Sequence, residues 1–295
     1  MYRRTTYNYI VSVVHGVKDV PVYDNHIHLD PRGRNIEALK EFEAAGGTGL
    51  TLVTLPYKDV QISCADDFRR SYGITLSMAE RGRELTELKI NVAVGPYPVL
   101  LLPLAERLGL ERAEAIMRDG MRIAADLVAE GRADVIGEIG RPHFPVPNEI
   151  VEASNRILVY GMELASANGC PVMIHSESGS PELMAELSEM AGSSSLDPGM
   201  VIKHFSPPLV LEAENSGVMP SIPASRKTVR EALSKSDRFM LETDYIDDPE
   251  RPGAVMSVNT VPKKVLGMLS SGEMSAETAW RIGADTPDSL FTRRR

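Results

Sequence analysis

Cysteine is nearly missing: Cys64 and Cys170 are the only two in 295 residues. That is too few for a disulfide-stapled secreted scaffold, and a chain of this length can bury a core that needs no staples. The expectation is a reduced, cytoplasmic protein. Long hydrophobic runs are missing too. No stretch reaches the roughly 18 apolar residues that would cross a bilayer. The early run "YIVSVV" (9–14) is short for a signal h-region, and no small-residue cleavage site follows it. Residues 1–21 read instead as an N-terminal extension, a strand or lid packed on the bottom of the domain. Positive charge is in deficit, with 32 Lys and Arg against 41 Asp and Glu, a net charge of −9 and a pI near 5.3. This argues against a large basic footprint for nucleic acid. The basic clusters "RKTVR" (226–230) and the terminal "RRR" read as solvated surface. There is no internal repeat and no low-complexity tract.

What is present is alternation. The composition, 43% hydrophobic and 25% charged, is that of a globular chain. Short runs rich in Val, Ile and Leu recur eight times: 22–28, 49–55, 90–95, 133–140, 171–176, 199–205, 216–222 and 238–244. Amphipathic stretches separate them. One runs from a candidate cap, Asn35, to Gly46–Gly47. A second ends at Gly131 and a third at Gly169. Strand–helix alternation predicts a parallel sheet, and eight units predict closure into a (β/α)8 TIM barrel over residues 22–295. A doubly wound open sheet is the alternative. Residues 56–70, "PYKDVQISCADDFRR", read as a long loop entering a helix, the kind of loop that shapes a barrel mouth.

Six ionisable residues stand near the ends of those runs: His26, His28, Glu138, His175, His204 and Asp244. His26 and His28 are spaced i, i+2, which on a strand turns both imidazoles to one side. In a barrel, all such strand ends meet at one face. A carboxylate inside the apolar "VIGEIG" needs a partner, because an unpaired buried charge costs several kcal/mol. Four imidazoles and two carboxylates are a donor set for Zn2+, and also for Mn2+, Fe or Co. Their shared position favours one metal site over six separate structural roles. Three further residues lie beside them. His143 can be a substrate contact, a support for a metal ligand or a plain loop residue. Arg141 can hold a carboxylate or phosphate, or form a structural ion pair. Lys203 alternates with His204 and should face away from the barrel interior.

The segments "DNHIHLD", "GEIGR", "MIHSES", "KHFS" and "LETD", in this order, resemble the signature segments of the TatD-like metal-dependent hydrolases of the amidohydrolase superfamily. The resemblance runs from about residue 22 to "DTPDSLF". It implies two divalent ions, with zinc favoured and Mg, Mn, Fe or Co as alternatives. His26, His28 and Asp244 would hold one ion, His175 and His204 the other, and Glu138 would bridge them. It implies hydrolysis of a phosphoester or an amide or ester bond by metal-activated water, with Asp244 as general base. The chain departs from the family on the substrate side. "RPHF" follows "GEIG", and Glu177 in "ESGS" stands where a cation is usual. Arg141, His143 and Glu177 are therefore the expected substrate contacts. The expected substrate is a small or nucleotide-like molecule, with a nucleic-acid strand disfavoured by charge. Three alternatives remain: a metal-dependent DNA exonuclease, a one-metal deaminase or cyclic-amide hydrolase using Glu177 as proton shuttle, and a non-catalytic metal-containing binding barrel.

Overall fold

The computed structural model describes residues 20–251 and 255–292. Most of the expected N-terminal extension, with His15, lies outside the described residues. Nine parallel strands run in chain order: β1 Tyr23–His28, β2 Gly49–Val53, β3 Lys89–Val94, β4 Val135–Gly140, β5 Val172–His175, β6 Val201–Lys203, β7 Met219–Pro223, β8 Met240–Glu242 and β9 Tyr245–Ile246. The helices are α1 Ile36–Ala44, α2 Ala65–Leu85, α3 Leu101–Leu108, α4 Leu110–Ala129, α5 Asn148–Asn168, α6 Pro181–Ser193, α7 Glu212–Asn215, α8 Arg226–Leu233, α9 Thr260–Ser270, α10 Ala276–Trp280 and α11 Thr286–Phe291, the last two joined by a π-helical turn, Arg281–Asp285. No described helix is long and apolar enough to cross a membrane.

The sheet order is β8-β7-β6-β5-β4-β3-β2-β1-β9. Its two edge strands, β8 and β9, are separated in the chain by only Thr243 and Asp244, so the edges must meet and the sheet curls into a barrel. The eighth expected strand is thus broken in two. Its first part pairs with β7 and its second with β1. Between β8 and β1 a side chain does the stitching. The Asp24 carboxylate accepts the Thr243 amide at 3.1 Å and its hydroxyl at 2.7 Å.

Local chemistry explains the helices. On α2, Phe68, Tyr72, Leu76 and Ala79 share one buried face at helical spacing. Its start is held by Asp67, which accepts the Ser63 and Cys64 amides at 2.8 and 3.0 Å. Ser180 and Ser225 cap α6 and α8 through the Leu183 and Thr228 amides. Gly169 closes α5 in the left-handed conformation. Asn35 does not act as the expected cap: its side chain makes no capping bond, and its amide donates to Asp247 at 2.7 Å.

The core has three parts, one of them formed by Val22, Ile222, Val229, Phe239, Leu241 and Val261 around the last strands. Leu50, Leu52, Val92, Ile136, Val172 and Ile174 face outward to helical residues such as Leu39, Phe68 and Ile116. Tyr23, Val53, Ala93, Val135, Met173, Ile202, Met219 and Met240 fill the barrel interior, joined from below by Leu290 and Phe291 of α11. The barrel floor is therefore supplied by the C-terminal helix.

Candidate metal centre

Two strands change phase to build the site. Tyr23 and Val135 point into the barrel, while Ile27, Ile136 and Ile139 point out. A strict period of two from Tyr23 would send His26 and His28 outward, and one from Val135 would do the same to Glu138. Both strands carry a register shift, between Asp24 and Ile27 in β1 and between Gly137 and Ile139 in β4. Such irregularities re-aim side chains. At Gly137 the β5 backbone comes so close that a Cβ would sit 2.6 Å from the Met173 Cβ. Only glycine fits that turn.

The result is convergence of all six expected ligands. His26 Nε2 and His28 Nε2 face each other at 3.0 Å. Glu138 lies 3.9 Å from each of them, and Asp244 Oδ1 lies 3.9 Å from His26 and 3.7 Å from His28. On the other side, Glu138 Oε2 is 3.0 Å from His175 Nδ1 and 3.7 Å from His204 Nε2. Two donor triads thus share one carboxylate: His26, His28 and Glu138, and Glu138, His175 and His204. A third grouping joins His26, His204 and Glu242.

The imidazoles are prepared as ligands. His28 Nδ1 lies 3.0 Å from the Val53 carbonyl, which can only accept, so the proton sits there and Nε2 keeps its lone pair. His204 Nδ1 stands 3.0 Å from Glu242 Oε1, leaving Nε2 free in the same way. Burial pushes His26 and His204 well below the ordinary imidazole range and lowers His28, so all three are neutral. Burial opposes ionisation of Glu138, but its carboxyl is held well below the usual range, with the His175 hydrogen bond the leading opposing cause. Asp244 is pushed up to about 9, first by burial and then by Glu242 and Glu138. Crowded carboxylates beside neutral imidazoles lack positive charge, and divalent cations fit that deficit.

The side chains expected to touch substrate fall differently. The Arg141 guanidinium is buried and committed. It donates to both Glu186 oxygens at 2.9 Å and to Asn155 at 3.2 Å, and lies 3.3 Å from Glu177. Of its two sequence readings, this geometry matches the ion pair. Glu177 is exposed and sits against that cation. His143 is exposed, with Nδ1 2.9 Å from His175 Nε2. Lys203 is fully buried and donates to the His204 carbonyl at 2.6 Å.

Four neighbours escaped the sequence reading. Asp24 and Glu242 are buried, each two residues before a ligand, at His26 and Asp244. That spacing was a usable signal. Tyr97 meets the His175 ring edge-on at 5.1 Å, and Phe205 follows His204 with φ of 49°. Nothing in "GPYP" or "HFSPP" announces either.

Comparison with known proteins agrees. The family model described as TatD related DNase matches residues 23–292. The uncharacterized protein MJ1127 of Methanocaldococcus jannaschii is 37% identical over 278 residues, covering 93% of this chain and 97% of that one. Among solved structures, the TatD homologue YJJV of Escherichia coli superimposes with a TM-score of 0.64 at 18% identity, covering 92% of this chain and 98% of its own. The TatD-like protein AF1765 of Archaeoglobus fulgidus gives 0.56 at 18%, covering 92% and 99%. The structural likenesses speak for the fold; the model match and the close relative speak for descent, and the chain belongs to the TatD-related family.

Proposed function

We propose that the protein is a two-metal hydrolase acting on a phosphoester, ester or amide bond of a small substrate. The supporting observation is the pair of donor triads that share Glu138. In this reading His26, His28 and Asp244 would hold one ion, His175 and His204 would hold the other, and Glu138 would serve both. The nitrogen-rich donor set favours zinc. Bound divalent ions would polarise the scissile bond and bring a water toward ionisation at neutral pH. Asp244, at the broken end of the eighth strand, orients the attacking water and takes its proton. Val53 and Glu242 keep the protons of His28 and His204 on the far ring nitrogens, so the near ones stay basic. A nucleic-acid strand is the less favoured substrate. It would need uncommitted cations, while Arg141 is held by Glu186 and Glu177.

Elemental analysis of the purified protein tests this together with a panel of phosphoester, ester and amide substrates. Two ions per chain and metal-dependent turnover are expected, with both ions weakened in Glu138→Gln. One tightly held ion, or full metal content and rate in E138Q, would overturn the reading.

A further inference from the structure

Three aromatic rings lie beside the centre, Tyr97 and Phe205 against His175 and His204, and Phe144 against His143. Phe205 follows the ligand His204 directly and is 50% exposed. Its φ of 49° is a left-handed conformation that costs a bulky side chain free energy. The conformation is held from below: the Phe205 amide donates to Glu242 Oε1 at 2.7 Å, the same oxygen that faces His204 Nδ1. Phe144 is 41% exposed and meets His143 edge-on at 5.1 Å. Tyr97 meets His175 edge-on at 5.1 Å. These rings form one connected run through the ligands. His143 lies 5.0 Å from His175, His175 lies 5.7 Å from His204, and His204 lies 5.8 Å from Phe205. All three aromatics sit on loops that leave the C-terminal ends of strands β3, β4 and β6.

Charge at this face points the same way. Arg32, Arg34, Lys58, Arg141 and Arg251, all on loops at that end, each pair with a carboxylate: Asp30, Glu41, Glu250, Glu186 and Asp248. With those cations paired, the loops beside the metal centre also present exposed aromatic surface at Phe205 and Phe144.

We propose that the site takes substrates carrying a small aromatic group next to the reacting bond, as in an aryl ester, anilide or aryl phosphoester, with that ring packed against Phe205 and flanked by Phe144 and Tyr97. An exposed, strained Phe costs stability in the free protein, and a ring stacked on it recovers burial and aromatic contact only when substrate is bound. This inference rests on the metal-hydrolase reading.

Phenylphosphonate and methylphosphonate carry the same metal-seeking head and differ only in the ring. Their affinities for the zinc-loaded protein are measured by calorimetry, in wild type and in Phe205→Ala. Phenylphosphonate is expected to bind about tenfold more tightly, which corresponds to roughly 1.4 kcal/mol, and the ratio to fall toward one in F205A. Phe205→Leu keeps apolar bulk without a ring face and should also lower the ratio, which guards against a folding defect in F205A. Equal wild-type affinities for the two probes, or an unchanged ratio in both variants, would overturn the aromatic site and leave the metal reading standing. If the protein takes up no zinc, the metal reading fails and this inference falls with it; if it loads zinc and binds neither phosphonate, the aromatic site alone is overturned.

Discussion

The two ends of the barrel are built on opposite terms. At the N-terminal ends of the strands, Tyr23, Val135, Met173, Ile202 and Met240 meet Leu290 and Phe291, and the one polar tip among them, the Tyr23 hydroxyl, is within 2.8 Å of Thr51 and 2.6 Å of Asn91. At the C-terminal ends, His26, His28, Glu138, His204 and Glu242 are all buried, and Phe205 and Asp244 adopt left-handed backbone. The floor follows the rules of a packed core. The rim breaks them repeatedly within one small volume. Barrel enzymes separate stability from chemistry in this way, because loops can vary at one end while the other holds the strands. The floor carries the fold, and the rim concentrates the ionisable groups and the strained backbone.

The sharpest way to break that comparison is to damage the floor alone. Phe291→Ala removes a ring that stacks on Tyr23 at 6.0 Å. Large-to-small core changes of this kind cost about 3–5 kcal/mol, and Phe291 sits near the chain end, so about 3 kcal/mol is expected by urea denaturation. Metal content per folded chain should not change. Parallel loss of metal would mean that the two ends are one cooperative unit.

The rim should respond to pH in the opposite sense to an ordinary ion pair. In the metal-free protein Asp244 is pushed up to about 9 by burial and by Glu242 and Glu138. In the unfolded chain an aspartate titrates near 3.9. A folded value above the unfolded one means that the stabilising contribution is complete below about pH 4 and declines as pH rises toward 9. Metal-free wild type should therefore melt several degrees lower at pH 8.5 than at pH 5 relative to Asp244→Asn, which has no carboxyl to ionise. Saturating zinc should reverse the order, since ligand binding stabilises the folded state. Thermal melts of both proteins, with and without chelator, read this directly. Identical pH profiles would remove the claim that the rim is short of positive charge.

Much of this contrast could be read before any coordinates. The eight strand–helix units, and the six ionisable residues that meet at the rim, follow from periodicity and from ionisable residues at apolar strand ends. What escaped was non-local. The Asn35 backbone is tied to Asp247, far along the chain, at φ 50° and ψ −120°, outside the usual capping conformation, and its side chain does not cap. Arg141 finds Glu186 on a helix two elements away. The floor residues Leu290 and Phe291 look like any amphipathic terminus until the chain returns to Tyr23. The phase changes in β1 and β4 are invisible for another reason: alternation predicts which residues share a side, and a one-residue irregularity inverts it. In β1 the shift lies between Asp24 and Ile27, and His26 and His28 still reach the same centre.

Glu242 sharpens the comparison within the rim itself. It binds no substrate in this reading, yet its carboxylate faces His204 Nδ1, accepts the Phe205 amide at 2.7 Å and bonds the Ser221 hydroxyl. Glu242→Gln keeps the shape and disturbs the proton arrangement. Partners of metal-bound histidines are typically worth 10–100-fold in affinity, and zinc competition with a chelator should show a loss of roughly that size. An unchanged affinity would mean that burial alone orients His204.

The smallest expected effect lies at the edge of the same network. With His175 Nδ1 turned toward Glu138, its Nε2 must carry the proton if Nδ1 is to bind an ion, and that proton needs an acceptor. His143 Nδ1 is at 2.9 Å. Replacing His143 with Leu removes the acceptor and should weaken zinc about tenfold, near the low end for such partners. Asn carries an oxygen close to where Nδ1 stands, so His143→Asn should recover most of the loss. Because His143 is exposed, neither change should alter the melting temperature of the metal-free protein by more than about 0.5 kcal/mol equivalent. Chelator competition on the three proteins separates support for His175 from the other readings of this residue. A tenfold step that Asn repairs identifies the hydrogen bond as what holds His175 in register. If Asn and Leu bind zinc as tightly as wild type while turnover falls, His143 contacts substrate instead and the rim's support ends at His175.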